Sequence, residues 1–117
     1  VYADGVTAEN KVNVWGELSN GDAKGFSFSD KGQTVSVRLT ELFDKTNLKI
    51  CFITDSQSGE FDVFLNGRFV KTVNLSAEHS AVSTIDFGEF EPVENAVEIK
   101  FVCKRAGKLG IDYYLNK

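Results

Sequence analysis

Apolar residues recur at every second position along almost the whole of this 117-residue chain, and no segment sustains a helical period. The alternating segments are Lys11–Leu18, Gly25–Ser29, Thr34–Leu39, Leu48–Thr54, Phe61–Leu65, Phe69–Leu75, Ser83–Phe90, Ala96–Lys104 and Lys108–Leu115. Turn-forming clusters of Gly, Asn, Asp and Pro separate them at a spacing of about ten residues. This pattern predicts an all-β fold, an antiparallel β-sandwich or jelly roll of about eight or nine strands.

The length and charge of the chain limit its domain organisation and its partners. We expect a single β-sandwich domain over residues 11–117, preceded by an N-terminal tether or first edge strand over residues 1–10. A formal net charge of -4 argues against nucleic acid, because phosphate binding requires a basic surface. The sequence contains no apolar run long enough to cross a bilayer, so we expect no membrane partner either.

The pair Asn66-Gly67 lies between two alternating runs and predicts a β-hairpin, since both residues tolerate the positive φ of a type I′ turn. A two-residue loop fixes the pairing of the strands. The expected pairs are Leu65–Arg68, Phe64–Phe69, Val63–Val70, Asp62–Lys71 and Phe61–Thr72. This register places Phe64 beside Phe69 on the same face as the charged pair, away from the core face.

The two cysteines, Cys51 and Cys103, lie in different apolar runs. Alternation puts Cys51 on the side opposite to the buried residues of its run, and Cys103 on the buried side of its own. Unless a bulge intervenes, the thiols therefore point to different sides of a sheet. Two unpaired thiols are favoured, and a disulfide stays open as the alternative.

Four segments carry a resemblance to a known group of folds. They are Gly25–Leu39 (GFSFSDKGQTVSVRL), Leu48–Leu75 (LKICFITDSQSGEFDVFLNGRFVKTVNL), Glu91–Phe101 (EPVENAVEIKF) and Leu109–Leu115 (LGIDYYL). In this order they resemble the galactose-binding-like β-sandwich superfamily, to which many carbohydrate-binding modules belong. The chain lacks the acidic opening strand that helps to hold a structural calcium in many such modules. We therefore predict no cofactor, with a structural calcium ion as the open alternative.

Aromatic residues on outward positions suggest where a ligand would bind. Alternation places Trp15, Tyr114, Phe64 and Phe69 with polar neighbours rather than with the core. Exposed rings stack on the C–H-rich faces of sugars, while polar side chains bind the hydroxyls. The candidate ligand-binding residues are Trp15, Arg38, Lys49, Phe64, Phe69, Asp112 and Tyr114. A covering loop would instead make these rings a second, minor core.

Polar loops form a competing location for the site, and catalysis has little support. The loops are Asn20–Asp22, Asp55–Glu60 and Glu78–Ser80, which would meet at the ends of a sandwich. His79 is the only histidine, and its neighbours form neither a nucleophile elbow nor a metal-binding spacing. We therefore expect no catalytic or metal-ligating residues.

Together with the resemblance, these features predict a noncatalytic carbohydrate-binding module of a larger polysaccharide-active protein. That protein would be secreted or displayed on the cell surface, in a bacterium. The expected partners are a polysaccharide or oligosaccharide and the flanking domains of the parent protein. The alternative is a structural or protein–protein interaction sandwich, a spacer or adhesion module whose outward aromatic residues pack on a neighbouring domain.

Overall fold

The computed structural model describes residues 2–9, 13–17, 24–40, 42 and 45–115, with side chains over 25–40, 42, 45 and 47–111. Within these ranges all regular structure is β-strand, as the alternation predicts. The strands are β1 (Tyr2–Glu9), β2 (Asn13–Glu17), β3 (Lys24–Phe28), β4 (Thr34–Thr40), β5 (Thr46–Thr54), β6 (Glu60–Leu65), β7 (Arg68–Asn74), β8 (Ala81–Phe90), β9 (Val97–Arg105) and β10 (Gly107–Leu115).

The strands form two antiparallel sheets, which confirms the predicted β-sandwich. The first sheet has the order β1-β4-β9-β6-β7 and the second the order β2-β3-β10-β5-β8. Strand β1, which the sequence leaves as either a tether or an edge strand, pairs with β4 at the edge of the first sheet. Strands β7 and β8 are the edges at the other side of the two sheets.

The core lies between the sheets and is built from the inward residues of both. Phe52 of β5, fully buried, stands at its centre. Its ring meets those of Phe87 and Phe101 edge to face, with 6.2 Å between ring centroids in each case. Because Phe101 belongs to the first sheet and Phe52 to the second, these contacts join the two layers.

The β6–β7 hairpin has the predicted turn, but its register is correct only beside that turn. Asn66 and Gly67 have φ of 49° and 82°, as a type I′ turn requires. A bulge then follows the Phe64–Phe69 pair, so that Lys71 lies opposite Val63 and Val73 opposite Phe61. The remaining predicted pairs are wrong, and the physical reason is burial. The extra residue brings Val73, 3% exposed, into the core.

A second bulge interrupts the alternation of β10 between Ile111 and Tyr113. Beyond it, Tyr113 lies opposite Cys51 and Tyr114 opposite the buried Ile50. The prediction that Tyr114 faces outward depends on unbroken alternation, so this register removes its basis. The side chains of Tyr114 and Asp112 lie outside the described residues.

Both cysteines are free, as favoured from the sequence, and both are buried, although alternation puts Cys51 on the side opposite to the buried residues of its run. They lie in strands of different sheets, Cys51 in β5 and Cys103 in β9. The Cys51 Sγ accepts a hydrogen bond from the Thr84 hydroxyl at 3.5 Å. Burial raises the pKa of the Cys103 thiol, and the negative charge of Asp30 raises it further.

The loop after β5 crosses the β9–β10 connection at very short range. The Lys108 amide donates to the Gln57 carbonyl at 2.9 Å, and the Gly59 amide donates to the Lys108 carbonyl at 3.0 Å. Gly107, at φ 152°, permits this crossing, because a Cβ there would lie 2.5 Å from the Gly59 nitrogen. Only a residue without a side chain fits both the conformation and the space.

Candidate functional site

Two phenylalanines lie side by side on the outer face of the first sheet. Phe64 of β6 and Phe69 of β7 are cross-strand partners, as the hairpin predicts. Their ring centroids are 5.5 Å apart, and the rings meet edge to face at 69°. Phe69 is 52% exposed, while Phe64 is half-buried. The protein thus presents an aromatic pair at its surface, one ring supported by the other.

Polar residues continue the row of this aromatic pair across the sheet. Lys100 of β9 lies opposite Phe64 on one side and opposite Ser36 of β4 on the other. Arg38 lies one cross-strand pair along, opposite Glu98. The structure thus brings three predicted site residues, Arg38 and the two phenylalanines, onto one face of one sheet. Lys100 is missing from the prediction, because its position beside Phe64 follows from strand pairing that the sequence does not reveal.

The hairpin turn is fastened to the neighbouring strand. The Asn66 amide donates to the Glu98 carbonyl at 2.9 Å, and the Asn66 side-chain oxygen accepts the Glu98 amide at 2.9 Å. Asn66 therefore extends the β6–β9 pairing by one residue, with its side-chain oxygen as the acceptor for β9. This fixes the end of the hairpin on which the aromatic pair stands.

An edge cleft of about 450 Å³ opens beside Phe69, between the edge strands β7 and β8. Its walls combine apolar and polar side chains, and its rim carries charges of both signs. The lining residues are Leu65, Asn66, Arg68, Phe69, Val70, Phe87, Glu89, Phe90, Glu91 and Val93. Phe69 and Val93, at 52% and 61% exposed, are two of the most exposed large apolar side chains in the described part of the chain. Since the cleft arises where two sheets meet, no local sequence pattern indicates its far wall.

Lys71 links the two edge strands next to this cleft. Its Nζ donates to the Asp86 carbonyl of β8 at 2.6 Å and lies 5.5 Å from the centroid of the Phe87 ring. The predicted partner, Asp62, instead accepts a hydrogen bond from the Thr72 hydroxyl at 2.5 Å. The bulge in β7 explains the change, since it moves Lys71 to the inward side, from which it reaches the second sheet.

The other predicted site residues belong to the second sheet. Lys49 is half-buried and pairs with Asp86 across β5 and β8. Trp15 lies in β2 opposite Gly25, while its side chain, like those of Asp112 and Tyr114, lies outside the described residues. The predicted residues are therefore divided between the two sheets, and their role as one ligand-binding surface stays a prediction.

One of the polar loops considered as an alternative site is held together by its own hydrogen bonds. Partial burial by itself would raise the pKa of Asp55. Three contacts of its carboxylate outweigh this effect: the Gln57 amide at 2.8 Å, the Ser58 hydroxyl at 3.0 Å and the Lys108 ammonium at 3.3 Å. The net result is a pKa below the ordinary value of 3.8. The hollow beside these groups measures only about 70 Å³. Asp55 thus stabilises the loop and its crossing with β10.

The described side chains offer no metal centre: no three of their His, Cys, Asp and Glu residues come together in a group that could hold an ion. His79 is exposed in the loop before β8. Over the same part of the chain, no helix has the length and apolar character needed to cross a membrane.

No protein-family model and no curated protein matches this sequence, but solved structures match its fold. A family 35 carbohydrate-binding module from Paenibacillus barcinonensis superposes with a TM-score of 0.66, at 14% identity over 99% of this chain and 96% of that one. The fold is that of carbohydrate-binding modules. The predicted resemblance to carbohydrate-binding modules is therefore confirmed at the level of the fold.

Two further structures show the fold alone and as part of a larger protein. A family 36 carbohydrate-binding module in complex with calcium and xylotriose superposes with a TM-score of 0.54, at 13% identity over 97% of this chain and 100% of that one. A Paenibacillus xanthan lyase gives a TM-score of 0.75 at 15% identity, with 97% of this chain covering 12% of the enzyme. The fold thus occurs within a far longer polysaccharide lyase.

Proposed function

We propose that this chain is a noncatalytic carbohydrate-binding module and that it binds glycan at the aromatic pair and the edge cleft beside it. The observation that carries the proposal is the half-exposed Phe69, which lies on Phe64 and also forms one wall of the cleft. The fold of the superposed modules supports the proposal, but the site itself is argued from these side chains.

The chemistry of the cleft suits a sugar. A volume of about 450 Å³ lies within the range of small-ligand sites. The exposed ring offers an apolar surface to sugar C–H groups, while charged groups at the rim bind hydroxyls. Arg68 supplies donors on the β7 side, and Glu91 supplies an acceptor on the opposite side. Lys100 extends this polar rim onto the outer face of the sheet.

The affinity expected from one such site is modest, since it is open and includes few aromatic contacts. A module of this kind acts by keeping an attached domain close to an extended glycan, where repeated weak contacts add up. The placement of the fold within xanthan lyase supports a parent protein that acts on polysaccharide. Such a parent would be secreted or carried at the surface of a bacterium, because an extended polysaccharide substrate lies outside the cell.

Affinity electrophoresis against a panel of soluble polysaccharides, followed by calorimetry with oligosaccharides, tests the proposal. Phe69→Ala should weaken binding about tenfold. The substitution removes the exposed part of the ring, roughly half of its surface, which is the part available to the sugar. Val82→Ala is the matched control: Val82 is 57% exposed but lies in β8, away from the cleft lining, so its loss should leave the affinity per site for oligosaccharides unchanged in calorimetry. If no polysaccharide retards the folded protein, glycan binding is wrong.

The second candidate function is a spacer or adhesion module. The same exposed apolar groups, Phe69 and Val93, favour it, because they would also suit the surface of a neighbouring domain. Hydrogen exchange in a longer fragment of the parent protein separates the two functions. Burial of the aromatic pair by a flanking domain would slow exchange in β7, whereas a glycan-binding surface stays open until the sugar is added.

A further inference from the structure

Among the described strands, none pairs with the second edge of β8, and half of that edge carries no charge. The strand pairs with β5 on one side and ends the second sheet on the other. Its first four residues, Ala81–Thr84, are all exposed, and Val82 is 57% exposed. From Ser80 to Ile85 the sequence is SAVSTI, without a charged residue or a proline. We refer to Ser80–Ile85 as the β8 edge.

Sheet edges normally carry features that prevent pairing with another chain, such as lysine, bulges or proline. Strand β7, the corresponding edge of the first sheet, has a bulge at Val70, with Arg68 and Lys71 on either side of it. The second half of β8 is protected similarly, by a bulge at Gly88, φ 85°, and by the Lys71 bond to the Asp86 carbonyl. The β8 edge has none of these features.

We infer that the β8 edge pairs with the β8 edge of a second copy of this chain, so that the second sheets of two molecules become one continuous antiparallel sheet. An uncharged strip favours an uncharged, β-branched partner strand, since a charged strand would leave its charges without partners. The β8 edge has that composition itself, and a two-fold axis lets each copy supply the strand that the other lacks.

The charges at the two ends of the β8 edge select the register. A two-fold axis through an antiparallel pair places one residue opposite its own copy. With Ser83 on the axis, Val82 lies opposite Thr84 and Ser80 opposite Asp86, whose carboxylate can accept the Ser80 hydroxyl. With Val82 on the axis, Asp86 would lie towards Glu78 of the bend that precedes β8, and these like charges would repel. The pattern therefore favours the register centred on Ser83.

Sedimentation velocity over a range of concentrations tests the association. We expect a reversible dimer, and Val82→Lys should raise its dissociation constant about tenfold by replacing two cross-strand contacts with charges on an edge. Val93→Lys is the control, since Val93 is 61% exposed but lies outside the strands. A monomer at every concentration would overturn the inference. Equal weakening by the two variants would also overturn it.

Cysteine crosslinking tests the register. Opposed residues of an antiparallel pair have Cα atoms about 4.5–5.5 Å apart, within the range of a disulfide. Ser83→Cys should therefore form a covalent dimer on mild oxidation, with the native Cys51 and Cys103 buried and unreactive. Thr84→Cys should not, because the two copies of residue 84 would lie about 8 Å apart. Crosslinking of Thr84→Cys but not of Ser83→Cys would contradict this register.

Discussion

The crossing of two backbone segments at Gly107 leads to a specific prediction about stability. Gly107→Ala would place a Cβ 2.5 Å from the Gly59 nitrogen and 2.8 Å from the Gln57 carbonyl oxygen. Both contacts are with backbone atoms, which cannot rotate away as a side chain would. The φ of 152° adds strain, because a residue with a Cβ rarely adopts it.

The expected loss combines these effects. Strain of the backbone costs about 1–3 kcal/mol, and separation of the segments weakens two backbone hydrogen bonds worth about 1 kcal/mol each. The lower entropy of the unfolded alanine chain returns less than about 1 kcal/mol. The free energy of unfolding should therefore fall by about 3–4 kcal/mol, with a fall in Tm of roughly 10–20 °C.

Gly67→Ala is the matched control, since Gly67 has a positive φ of 82° but nothing within 4 Å of the position that a Cβ would take. It should cost about 1 kcal/mol, the cost of the left-handed conformation alone. Thermal unfolding followed by circular dichroism, together with urea denaturation, gives both values. If Gly107→Ala is no more destabilising than Gly67→Ala, crowding at the crossing has no energetic weight and the reasoning is refuted.

Substitutions at three further residues test individual interactions. Asn66→Ala should lower the free energy of unfolding by about 2 kcal/mol, because it removes the acceptor of the Glu98 amide and disfavours the turn. Asn66→Asp keeps an acceptor oxygen and should retain most of the stability, as urea denaturation would show. The pKa of Asp55 is lowered in the folded chain, so its ionised form stabilises the fold above the ordinary value of 3.8 and this contribution is lost as the pH falls through the folded pKa. Asp55→Asn should therefore flatten the acid side of the stability–pH curve, and an unchanged curve would contradict this. Lys71→Met should cost about 0.5–1.5 kcal/mol in thermal unfolding, since it keeps the apolar stem and loses the bond to the Asp86 carbonyl.

Local sequence patterns are sufficient to predict β2 to β10, the sandwich and the hairpin turn. Each of these depends on neighbouring residues: alternation defines a strand with one buried face, and Asn66-Gly67 defines its turn. The prediction of the Phe64–Phe69 pair is correct for the same reason, because the pair lies next to the turn, where the loop length fixes the register.

The features that escape prediction depend on contacts between distant segments. The bulges in β7 and β10 reverse the alternation, and they form because Val73 and the end of β10 must match strands that the sequence does not identify as neighbours. The edge cleft combines residues of β7 with residues around Phe90 that belong to the other sheet. Pairing information of this kind is absent from a single sequence, so Lys100 and Arg68 are not recognisable there as site residues.

The position of β10 in the middle of the second sheet has a consequence for how the protein assembles. Among the pairings of the described strands, only β2–β3 and β6–β7 join strands that follow each other in the chain. Without β10, the second sheet consists of two separate pairs, β2–β3 and β5–β8. During synthesis on the ribosome, the second sheet therefore stays divided until β10 emerges, and the sandwich folds only after translation has passed β10.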